Sequence, residues 1–466
     1  MTGLKMRLME SKVNRSAEIN ERFVDLFQTS RGRIERNSSK LINSFRSSAM
    51  DRFRELGVPG KKNEAYRYTN LEPWFGSNYK SFFVPEPEDF GAAEDFRCEV
   101  ETLDTHTLIL LNGYFPTSNG GIIELPDGVK VGSLARASEI FPEIVESHYG
   151  KYAVDGTDGL IPLNTALASD GIYVYVPAGI TCSKPIQIIN LVEATEDIMV
   201  HHRNLIVVEE QASVDLIVCD HALSPRKFLT NAVTEVYVGP SARFDILRVQ
   251  NEHNSAGKIT HTFIHQERDS IAGSNNITLH GGLVRNSTYH RLNGEGAEAN
   301  AYGLYLADKW QHVDNFVNID HAVPNCTSKQ LFKGVLDDFA TGAFNGRIYV
   351  SQDAQNTRAY QSNNSILLTD DAHMDTKPQL EIYADDVKCS HGATVGQLDE
   401  EALFYLRSRG ISAVEARLML MFGFAHEVIA SIKTAALRDR IDNLVLQRLR
   451  GELSRCATCM INCDNK

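Results

Sequence analysis

From about Gly171 to Leu368 the chain is a long succession of short β-branched and aromatic runs separated by Gly, Asn, Asp or Ser, with no linker-like break. The first, Ile172 to Val176, is closed by Pro177-Ala178-Gly179; Leu205 to Val208, Val214 to Val218, Val233 to Val238 and Phe244 to Val249 follow. Further runs lie at Ile259 to Ile264, Asn275 to His280, Ser287 to Arg291, Ala301 to Leu306, Phe316 to Asp320, Thr327 to Phe332, Thr341 to Val350 and Ser365 to Leu368. Such residues suit a pleated, buried surface, and the turn residues between them end each strand. A single sandwich holds about seven to nine strands in roughly 100 residues. The strand-rich stretch here is about twice that length, which favours coils stacked into a solenoid, although no strict sequence repeat is visible.

The flanks read as helical. Ala17 to Phe27 places Ile19, Phe23, Leu26 and Phe27 at helical spacing, and Leu41 to Leu56 does likewise before a stop at Gly57 and Pro59. The aromatic segment Tyr66-Arg67-Tyr68-Thr69-Asn70-Leu71 is too irregular to assign. After Gly396, Glu400 to Ser408 predicts a helix ended by Gly410, and Ser412 with Glu415 has capping-box spacing. One long helical stretch is expected from there towards Leu449, with Leu418, Met421, Phe422, Ala425, Val428 and Ile429 on one apolar face. Such a stripe is usually intramolecular core, yet a helical appendage has little of its own to bury against, so a partner-binding face is the other reading. Three regions follow: 1–169 helical and mixed, 170–397 the β core, and 398–466 helical with a cysteine-containing tail.

The formal charge of −13 argues against nucleic acid, whose phosphates need clustered Lys and Arg. No run approaches the roughly 18 apolar residues of a membrane span, and Met1 to Arg15 has no apolar h-region, so a cytoplasmic chain is expected. Cys98, Cys182, Cys219, Cys326 and Cys389 are scattered singly and read as free thiols. The chain has no P-loop, no nucleophile elbow and no dinucleotide fingerprint, and His426-Glu427 lacks the second His of a zinc helix.

The segment Asp370 to Thr394 is the densest in chemistry-bearing residues. If Val387 to His391 is extended, Cys389 and His391 share one side of the strand, where thiolate and imidazole could hold Fe²⁺ or Zn²⁺ with ligands from another chain. A partly buried Cys beside a hydrogen-bonded His is the other reading. Cys456, Cys459 and Cys463 form a C-x-x-C-x-x-x-C pattern in which three thiolates could converge on a metal, against the alternative of a mobile tail with incidental thiols. Asp370, Asp371, Asp375, Asp385 and Asp386 admit a β-helix lyase or hydrolase acting on acidic polysaccharide, though solvated turn acids are commoner. His201-His202 alternate faces of a strand and read as structural; Trp74 and Trp310 read as core.

Asp385 to Gly396, Leu403 to Ile411, Thr376 to Ile382 and Tyr66 to Leu71 together resemble the SufB/SufD family of the SUF iron–sulfur assembly machinery. The SufD branch fits better: SufB-like chains place Glu after the matching His, where Gly392 stands here, and carry a sulfur-accepting Cys at the position of Asn363. The resemblance implies a right-handed parallel β-helix with helical flanks, acting as a non-catalytic scaffold. It implies a SufB-like partner and a SufC-like ATPase, with a homodimer as the pairing in isolation. It also implies that His391, with Cys389 as its neighbour, serves cluster formation at the subunit interface. No stably bound cofactor is expected, only a transient iron–sulfur cluster or iron at that interface. Phe404, Tyr405, Arg407, Arg409, Met421 and Phe422 are the ATPase-docking candidates. The cysteine tail is not part of the resemblance.

Overall fold

The computed structural model describes residues 2–83, 104–116, 121–154 and 156–452; Cys98, Cys456, Cys459 and Cys463 lie outside them. Two sheets, of eleven and nine strands, face each other along one body, and successive strands of the chain alternate between them. Almost every pairing is parallel and in register, so the chain winds as a flattened parallel β-solenoid. One coil takes between 26 residues (Gly257 beside Leu283) and 32 (Thr341 beside His373). That drift in coil length hides the repeat in the sequence although the backbone repeats regularly.

The strands are longer than the apolar runs that announced them. Phe228–Val238 includes Thr230 and Asn231, and Ser213–Ala222 includes Asp220, all of them buried. Hydrogen bonds make two of them tolerable: Asn231 Nδ2 donates to the Leu160 carbonyl of the covering helix at 2.9 Å, and Asp220 accepts from Asn190 Nδ2 at 2.8 Å. First-sheet strands such as Ile198–Val208 are buried on both faces, because the N-terminal helices Thr2–Arg36 and Lys40–Leu56 and the short helix Leu160–Leu167 cover the outside. His201 and His202 lie within that strand and are buried, as expected of structural residues. Trp310 is a correction: it lies on a turn, 78% exposed, its ring stacked at 4.4 Å on Phe339 of the next coil.

The irregular aromatic segment is a strap along the outer face of the first sheet. Lys80 pairs beside Ile198 near one end, the Lys227 ammonium lies 5.0 Å over the Trp74 ring, and Glu64 pairs with Lys377 at the far end. Midway, the Tyr66 hydroxyl donates to Asp158 at 2.5 Å and Arg285 lies 3.7 Å over its ring. Asp314 receives both Arg285 and the Thr69 hydroxyl. These charges are buried and paired, which is the condition for their being tolerated there.

The C-terminal stretch is two helices, Ala413–Ile429 and Ala435–Arg450, and not one. Of the two readings of the apolar face, intramolecular core holds and a partner-binding face does not. Leu418, Met421, Ala425, Val428 and Ile429 pack on Ile217, Leu247, Ile277, Leu304 and Leu331 of the second sheet, with Phe422 at the margin. The outer faces of these strands supply the apolar surface that the helices needed. No helix among the described residues is long and apolar enough to cross a membrane.

Candidate functional site

The solenoid stops at Val387–Gly396, the last strand of the second sheet, and at His373–Ile382, the last of the first. Each pairs on one side only among the described strands. Cys389 packs against the small cluster of Ile348, Val350, Ala359 and Ala384, so it faces inward. The period of two puts His391 and Ala393 on the same face, in register with Gln361 and Asn363. Gln361 and Asn363 are buried because this last strand covers them; His391 is exposed because no further coil covers it.

A column of polar side chains leads to that point. Gln330, Gln361 and His391 are successive register partners, and Gln361 Nε2 donates to Gln330 Oε1 at 2.7 Å. Asn363 Oδ1 accepts from the Thr376 hydroxyl at 3.0 Å, tying the two sheets together one coil before the end. Burial pushes the Cys389 thiol up, against a lesser opposing hydrogen bond from the Ala359 backbone, so an iron or cluster ligated there would first displace a proton. Among the described residues no third His, Cys, Asp or Glu converges on this pair.

His373–Ile382 carries Pro378, which an edge strand accepts because its outer side needs no ladder hydrogen bond. Arg347 binds Glu381 through two contacts of 2.7 and 2.8 Å on the outer face. The acids do not form a catalytic pair. Asp370 and Asp371 stand before this ten-residue strand and Asp385 and Asp386 after it, roughly 30 Å apart at strand rise, where a glycosidase pair needs about 5–9.5 Å. Asp375, between them, lies 3.3 Å from His373 on the outer face.

Of the docking candidates, Met421 is buried under the helical layer and Phe422 half-buried. Phe404, Tyr405, Arg407 and Arg409 are exposed on or just after the helix Glu400–Ser408, which buries no residue of its own. Asp399 caps it, accepting from Glu401 and Ala402 at 2.9 and 3.0 Å. Gln361, the Asn363–Thr376 link and the Glu64–Lys377 clasp were not anticipated as neighbours of the site. Their signal in the sequence is only the coil-to-coil register, which no strict repeat reveals.

The fold defines a class: a parallel β-solenoid flanked by helices, whose last strand, Val387–Gly396, has no buried residue. Comparison with known proteins gives the family. Residues 190–424 match the model described as SUF system FeS cluster assembly, SufBD core domain, and residues 17–188 match the SufBD protein N-terminal region. The chain belongs to the SufBD family of iron–sulfur cluster assembly proteins. It is 30% identical over 434 residues to an iron–sulfur cluster assembly SufBD family protein of Synechocystis, covering 90% of this chain and 91% of the relative. Iron–sulfur cluster assembly protein SufD of Escherichia coli is 30% identical over 401 residues, 85% and 90% of the two chains. SufD of Bacillus subtilis is 26% identical over 424 residues, 88% and 94%.

Proposed function

We propose that this chain is a non-catalytic, SufD-type scaffold subunit. Its open solenoid end joins a SufB-like subunit, and the helix Glu400–Ser408 docks a SufC-like ATPase. The observation that carries the reading is the end itself: its last second-sheet strand, Val387–Gly396, is paired on one side only among the described strands and carries both Cys389 and His391, which supply only two donors. An iron or nascent cluster is cargo here, and it needs further thiolates or imidazoles from the facing subunit. An exposed strand edge invites pairing, so the second subunit both satisfies the backbone and completes the donor set. An ATPase whose shape follows its nucleotide would bias that joint between covered and accessible arrangements.

Two measurements test it. A pull-down from the native host should return an ATPase subunit and a second solenoid subunit, and Phe404→Ala with Tyr405→Ala should lose the ATPase alone. His391→Ala should fold and still pair, yet fail to support cluster maturation. Full maturation by a stably folded His391→Ala protein removes the site assignment.

A further inference from the structure

At the opposite edge of the second sheet from His391, three metal-binding side chains meet that the proposed function does not use. The donor atoms of His106, Asp127 and Cys182 all lie within 4.8 Å of one another, and each residue is half-buried. They come from three separate segments. His106 opens the edge strand His106–Leu111, Asp127 sits in the turn joining Ile122–Glu124 to Lys130–Ser133, and Cys182 lies in the loop before Ile186–Val192. Backbone bonds fix all three segments: His106 N–H donates to the Pro185 carbonyl at 3.0 Å, Cys182 N–H to the Ser213 carbonyl at 2.9 Å, and Leu125 N–H to the Val129 carbonyl at 2.8 Å. Ser183 N–H donates to Asp127 Oδ2 at 2.7 Å.

The second observation is the histidine. His106 Nε2 is buried and has no hydrogen-bond partner among the described residues. A buried imidazole nitrogen without a partner costs free energy unless something at that point completes it. We propose that His106, Asp127 and Cys182 bind one borderline divalent cation of the Zn²⁺ or Fe²⁺ type, with a fourth position open to solvent. Imidazole, carboxylate and thiolate together suit such ions and do not suit Mg²⁺ or Ca²⁺, which prefer all-oxygen sites. At bond lengths of about 2.0–2.3 Å, tetrahedral donors stand about 3.5 Å apart, so the side chains need only close inwards slightly. Three protein ligands and one open position is the pattern of an exchangeable or reactive site, not of a closed structural one.

Without an ion the thiol keeps a proton that binding must displace. Burial pushes the Cys182 thiol up, opposed by the Lys184 backbone and reinforced by the Asp127 carboxylate. Its Sγ lies 3.1 Å from the Lys184 carbonyl oxygen, to which it donates. On metal binding the S–H bond breaks, the proton leaves to solvent, and the sulfur lone pair bonds the ion. Asp127 is held below its usual range by the hydrogen bonds from Ser183, and so stands ready as a carboxylate.

The test uses the full chain with Cys456→Ser, Cys459→Ser and Cys463→Ser, which silences the tail thiols, titrated with Co²⁺ and then Zn²⁺. One equivalent of Co²⁺ should give thiolate-to-cobalt charge-transfer absorption, displaced by one equivalent of Zn²⁺ and not by Mg²⁺. Cys182→Ser should abolish the band. His106→Ala and Asp127→Asn should weaken binding by at least the 10–100-fold that outer-shell partners cost. Should Cys182→Ser fail to fold, X-ray absorption of the Zn²⁺-loaded parent replaces it and should show one sulfur with nitrogen and oxygen neighbours. Absence of a bound equivalent, a band surviving in Cys182→Ser, or a zinc shell without sulfur overturns the site. His391→Ala and Cys389→Ser should leave the band unchanged, so this result and the scaffold reading stand or fall separately.

Discussion

The two ends of the solenoid are finished differently. At the first, the strands Ile122–Glu124 and Lys130–Ser133 turn antiparallel, and the helices Leu134–Ile140 and Pro142–His148 pack over them. Asp170 there is buried and accepts from the Ser133 hydroxyl at 2.8 Å, Ala135 N–H at 3.0 Å and Phe115 N–H at 3.3 Å. At the second end the strand Val387–Gly396 has no buried residue, and the polar column through Gln361 ends on exposed His391. A chain able to cap one end with its own segments leaves the other bare. The closed end buries its strands under the chain's own segments, whereas the exposed edge at Val387–Gly396 is of the kind that invites pairing.

Acidification should show the largest effect of this contrast. Burial holds His201 and His290 down to about 3, and His202 and His321 to about 4. Their folded values lie below the unfolded value near 6.5, so their contribution is complete above that pH. It is lost as pH falls from about 6.5 towards 4, by about 2 kcal/mol for each histidine at pH 5. His201, whose two ring nitrogens have no hydrogen-bond partner among the described residues, offers the sharpest probe. His201→Leu should flatten the urea-midpoint profile between pH 6.5 and 5 by one such step. Asp170 works in the opposite sense: burial raises it to about 6, so its contribution is complete below about 4 and fades as pH rises through 6.

Truncation at the two ends should differ next most. Asp170→Ala leaves two buried donors and one half-buried donor without an acceptor, a loss of about 3 kcal/mol in chemical denaturation. His391→Ala removes an exposed side chain and should shift the same midpoint by less than about 0.5 kcal/mol. Equal losses would mean that the open end is not open.

The stacked coils were legible because Val, Ile and Phe recur in runs such as Ile172–Val176 and Phe244–Val249, whose burial any packing arrangement would require. His373–Ile382 was not legible as a strand. Lys377, Pro378 and Glu381 break the β-branched pattern of the earlier runs and are admissible only because the strand is an edge with a solvated outer side. The same physics limited the site. Periodicity put Cys389 and His391 on one face, but their contrast in exposure follows from which coil is last. The helical stripe through Met421 left two readings open for the converse reason, since the surface it covers belongs to strands such as Ser213–Ala222 some 200 residues earlier.

The smallest effect on stability should accompany a complete loss of association. Val395 is 41% exposed and Ala393 is exposed on the unpaired strand, and natural sheets protect such edges with lysine. Ala393→Lys with Val395→Lys adds two charges where the side chains already meet water, so the melting midpoint should move by less than about 0.5 kcal/mol. A second solenoid subunit pairing with this edge would have to bury both ammonium groups without partners, a cost of several kcal/mol that outweighs the ladder hydrogen bonds gained. Size-exclusion with light scattering, on the chain alone and mixed with a second solenoid subunit, should therefore show the pairing lost. The ATPase should still be retained, because Phe404 and Tyr405 lie on a different element. Pairing that survives the two lysines would move the joint away from Val387–Gly396, and would leave His391 a solvated residue with no facing donors.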